Sequence, residues 1–61
     1  MKLWIARDYD GSLWLFEKEP IYDESIDGWT DRSSVLILES NLYPEVTFEN
    51  SPMEVELKLV D

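Results

Sequence analysis

The chain has 61 residues, with 14 acidic against five basic side chains, a net charge of −9, and neither cysteine nor histidine. That length gives one small domain spanning residues 1–61, and such a domain buries only about 60% of the surface its unfolded chain exposes. With no disulfide available, a dense aromatic core or association must support it. Imidazole acid–base catalysis and thiol nucleophiles are excluded, and the surplus of carboxylates repels nucleic acid and anionic membrane, so any charged partner is basic.

The N-terminal MKLWIARDYD holds a four-residue apolar run before Arg7 and Asp8, far short of a signal-peptide core or a membrane span. The expectation is a soluble, cytoplasmic chain. Asp8-Tyr9-Asp10-Gly11 then has the residues of a type I turn closed by a glycine at positive φ, which predicts a hairpin with a three-residue bulged loop. In that register Ala6 faces Trp14, Ile5 faces Leu15 and Trp4 faces Phe16. A two-residue Asp10-Gly11 loop would shift the pairing by one and mix the faces. Cross-strand aromatic pairs favour the bulged form, by roughly 0.2–1 kcal/mol each. One face then carries Leu3, Ile5, Leu13 and Leu15, the other Trp4, Ala6, Trp14 and Phe16. A hairpin apolar on both faces must be covered twice.

Residues Pro20 to Ser34 are the least readable, with Ile21-Tyr22 and Trp29-Thr30 as two short strands around an acidic loop. Val35-Leu36-Ile37-Leu38 is apolar throughout and predicts a central strand. Ser40-Asn41-Leu42-Tyr43-Pro44 allows one short helical turn, which Pro44 cannot extend. Val46-Thr47-Phe48 reads as a short strand, followed by a turn at Asn50-Ser51-Pro52. Met53 to Leu59 alternates strictly between apolar and charged side chains, the pattern of a half-buried strand. Together these predict a mainly β domain: one small antiparallel sheet, or a rolled barrel-like arrangement, of four to five strands near residues 2–8, 12–18, 34–39, 46–48 and 53–60.

Little chemistry remains. Asp8-x-Asp10-Gly11 and the series Asp23, Asp27, Asp31 both miss the calcium-loop spacing and read as turn residues. Two glycines cannot build a phosphate loop. No catalytic, metal or cofactor site is expected, and the chain reads as a non-enzymatic protein. Two surfaces are candidates for binding. Trp4, Trp14 and Phe16 form an aromatic patch if the domain leaves their face open, suited to a protein partner or a homodimer; if it does not, that face packs under the middle segment and Trp29 or Tyr43. Glu39, Glu45, Glu49, Glu54 and Glu56 offer an acidic surface, read as an ordinary solvent face or as a nucleic-acid mimic inhibiting a host protein.

Two stretches, KLWIARDYDGSLWLFEKEP and LYPEVTFENSPMEVEL, resemble short proteins of Bacteroides-type gut bacteria and of their phages and mobile elements. The resemblance spans most of the chain, with residues 21–34 matching worst. It brings no activity, ligand or site residue. It implies an accessory protein that acts by binding a host component, and beside that reading stands a small structural component of a phage particle. The leading expectation is an interaction module working through the aromatic hairpin face.

Overall fold

A computed structural model describes residues 2–31 and 35–56. It shows six strands and, among the described residues, no helix: β1 (Lys2–Arg7), β2 (Leu13–Phe16), β3 (Ile21–Asp23), β4 (Gly28–Thr30), β5 (Val35–Leu38) and β6 (Met53–Glu56). β5, β2, β1 and β6 form one antiparallel sheet in that order, and β3 and β4 form a separate two-stranded hairpin. The sheet is open, not closed into a barrel. Its fourth strand returns by a long connection to lie beside the first, the order of a Greek key.

The first hairpin takes the bulged register: Trp4 pairs with Phe16, Ile5 with Leu15 and Ala6 with Trp14. Gly11 has φ +97°, its amide donates to the Asp8 carbonyl, and the Asp8 amide donates to the Ser12 carbonyl. The loop is therefore a type I turn closed by a left-handed glycine. The pairing of β1 with β6 and of β2 with β5 extends both faces across the sheet. Leu36, Leu38, Met53 and Val55 join the leucine face, whereas Ile37, Glu54 and Glu56 join the aromatic one.

Each face has its own cover. Hairpin β3–β4 lies over the aromatic face, where Ala6 and Phe16 are 0% and 1% exposed. The long connection from Glu39 to Pro52 crosses the leucine face, and its Val46 packs against Ile5 and Leu13.

Three assignments change. Residues 46–48 are not a strand, because local side chains take the backbone groups that a ladder would need. The Thr47 amide donates to Asn50 Oδ1, the Asn50 amide to Thr47 Oγ1, and Ser51 Oγ to the Thr47 carbonyl. The helical turn allowed at 40–44 is instead a pair of turns, closed by Leu42 N–H to the Glu39 carbonyl and Val46 N–H to the Tyr43 carbonyl. β5, placed centrally by its sequence, lies at a sheet edge. The expected extension of β6 over 57–60 falls outside the described residues.

Candidate interaction surface

Two neighbouring residues, Arg7 at the end of β1 and Asp8 just after it, hold the covers in place. Arg7 lies on the leucine face opposite Leu13, a cation in an apolar row. Its guanidinium donates to five backbone carbonyls: Nε to Val46 at 2.6 Å, Nη1 to Gly11 and Ser40 at 2.7 and 2.9 Å, Nη2 to Leu42 and Tyr43 at 3.0 and 3.2 Å. All five N–H groups of the planar fork are used. The Arg7 amide also donates to Ser51 Oγ at 2.8 Å. Carbonyls drawn toward one guanidinium cannot line up in a helical ladder, which explains the turns at residues 39–46.

Asp8 does the same on the opposite face. Its Oδ1 accepts the Trp29 amide at 3.0 Å and its Oδ2 accepts the Trp14 indole N–H at 3.1 Å. Trp29 in turn donates its indole N–H to the Arg7 carbonyl, and the Tyr9 amide donates to the Asp27 carbonyl. Gly28 makes the approach possible, since a Cβ there would sit 2.6 Å from Asp8 Oδ1. Beyond this contact, Tyr22 and Trp29 meet edge to face, and both gather round Phe48 from the crossover, as does Tyr9. Such ring pairs add about 0.5–1.5 kcal/mol each beyond burial.

The carboxylates of the turns are engaged locally. The Ser12 amide donates to Asp10 and holds its carboxyl below the usual aspartate range. The Ser25 hydroxyl, helped by the Ser25 amide, does so for Asp23. Tyr22 donates its hydroxyl to Asp27 at 2.9 Å, and that bond raises its pKa above the ordinary phenol value. These are turn contacts, and among the described residues no three carboxylates converge on a metal-sized space.

The two faces are unequally covered. Of the aromatic trio, Phe16 is buried inside the domain, and Trp4 and Trp14 are half-buried. A gap of about 270 Å³ lies there, lined by Asp8, Trp14, Phe16, Ile26 and Trp29. The leucine face is different. Arg7 fixes the crossover above the row Leu38, Leu13, Arg7, and the next rows, Leu36, Leu15, Ile5, Met53 and then Leu3, Val55, run on past it. An open apolar groove of about 480 Å³ results, floored by Leu3, Ile5, Leu15 and Val55, with Leu42, Tyr43 and Val46 forming the crossover wall. Glu45 from the crossover also lines it, and Glu56, whose side chain belongs to the other face, borders its end.

The five glutamates of the expected acidic surface are all exposed but do not form one row. Glu39 follows edge strand β5, Glu45 and Glu49 belong to the crossover, and Glu54 and Glu56 lie on the opposite edge strand. Glu54 pairs with Lys2 at 3.4 Å. No family model matches the chain, and no curated protein or solved structure matches it. Among the described residues no helix is long and apolar enough to cross a membrane.

Proposed function

We propose that this protein is a non-enzymatic protein-interaction module, and that its binding surface is the leucine face. The unequal covering of the hairpin carries this reading: on the aromatic face β3–β4 leaves Trp4 and Trp14 half-buried beside a gap of about 270 Å³, whereas the leucine face keeps a larger apolar groove of about 480 Å³. A groove of that size suits one or two large apolar side chains of a partner. Glu45 beside it, on a chain of net charge −9, favours a partner segment whose flanks carry lysine or arginine. An accessory protein of a phage or mobile element that captures a host component fits such a module.

The test is a titration with a short leucine–lysine peptide and with its leucine–glutamate counterpart. The basic peptide is expected to bind and the acidic one not. Leu42→Ser, at an exposed position of the groove wall, removes about 1–1.5 kcal/mol of apolar contact and weakens binding by about tenfold. Equal affinity of Leu42→Ser and the parent chain, with loss in Trp4→Ser instead, would return the site to the aromatic face.

A further inference from the structure

The two edges of the sheet are not alike. β6 carries Glu54 and Glu56 and sits beside the Lys2–Glu54 ion pair, the charged decoration that keeps edge strands from pairing. β5 has the sequence Val-Leu-Ile-Leu, with no charge. Leu36 on the leucine face is 58% exposed and Ile37 on the aromatic face 59%. Among the described residues no strand pairs with its outer side.

We propose that β5 is a homodimerisation edge, at which two copies pair antiparallel about a two-fold axis and join their sheets into one of eight strands. This goes beyond the groove reading and does not need an occupant there. An antiparallel edge is its own complement under a two-fold. With the axis normal to the sheet, leucine faces stay on the same side, so either Leu36 or Ile37 stands opposite its counterpart. The two grooves then open side by side on one surface. Net charge does not forbid the pairing: Glu39 and its counterpart end up about 13–20 Å apart at a rise of about 3.3 Å per residue, beyond a screening length of about 8 Å at physiological salt. Four paired residues a side fall at the small end of specific interfaces, below about 1,200 Å², so the dimer is expected to dissociate in the micromolar range.

Sedimentation equilibrium of the full chain, from micromolar to millimolar, tests this. The parent chain is expected to shift from monomer to dimer across that range, more readily at high salt. Ile37→Lys, at an exposed position, is expected to stay monomeric with an unchanged circular dichroism spectrum, whereas Ile21→Lys, on the other hairpin, dimerises as the parent does. A parent chain that stays monomeric at millimolar concentration, or a dimer that survives Ile37→Lys, overturns the proposal. Because neither readout uses the leucine–lysine peptide, its failure leaves the groove reading standing, and the reverse holds too.

Discussion

Replacing Arg7 with methionine keeps the apolar stem and removes the fork that ties the crossover to the sheet. Two of its acceptors, the carbonyls of Val46 and Gly11, are partly buried; the other three are exposed and can turn to water. A hydrogen bond to a charged group contributes about 1.5–3 kcal/mol, and bonds made by one group are not additive. The two partly buried ones together give about 3 kcal/mol. A chain of this length has roughly 3–9 kcal/mol in all, so Arg7→Met removes a third of its stability at the least. In thermal unfolding followed by circular dichroism, that is a fall in Tm of about 12–24 °C. Arg7→Lys, a point charge with three donors, cannot reach carbonyls spread around a planar fork and is expected to recover less than half of the loss. If Arg7→Met unfolds within about 0.5 kcal/mol of the parent chain, an ordinary surface effect, then Val46 packing alone holds the crossover and the reasoning fails.

Other consequences follow from the turns and the second anchor. Gly11→Val is expected to cost at least about 1 kcal/mol, because a β-branched residue is strained at φ +97° although a Cβ there meets nothing. Gly11→Asn, which tolerates that conformation, should lose clearly less in the same melt. Gly28→Ala drives a Cβ into the Asp8 carboxylate and is expected to cost about 1–3 kcal/mol, with little further cost once Asp8→Ala has removed the carboxylate. A double-mutant cycle in urea checks that coupling. The Tyr22 bond to Asp27 raises the folded-state pKa, so its stabilisation is fully present below the ordinary tyrosine value of about 10 and is lost as pH rises through the folded value. Tyrosinate absorbance should show one late-titrating tyrosine that Tyr22→Phe removes.

The first hairpin was legible down to its register, because Asp8 to Gly11 fixes the loop and the side-chain pairs on both faces agree with it. Ile21-Tyr22 and Trp29-Thr30 were readable only as two short strands around Asp23 to Gly28 and stood outside the expected four to five strands, because two-residue runs carry no period. Three features escaped for physical reasons. Val46-Thr47-Phe48 has strand propensity, but the reciprocal bonds of Thr47 and Asn50 outweigh it. The run Val35 to Leu38, apolar on both faces, imitates a central strand although the topology leaves it at the edge. The groove was hidden because it depends on where the crossover lies. One signal did point to it: Arg7 shares a face with Leu3, Ile5, Leu13 and Leu15 and so had to find hydrogen-bond acceptors above that face. Asp8, read as a turn residue, also anchors Trp14 and Trp29, a long-range role that local spacing cannot reveal.

The most direct test of the leucine face as the binding surface is chemical-shift mapping of the nitrogen-labelled chain during titration with the leucine–lysine peptide. The tryptophan indole N–H signals report on the aromatic face separately. Movement centred on the amides of Leu3, Leu15, Leu42 and Val55, with the Trp14 and Trp29 indole signals unmoved, is the expected result. Movement of the indole signals with those amides unchanged would contradict it.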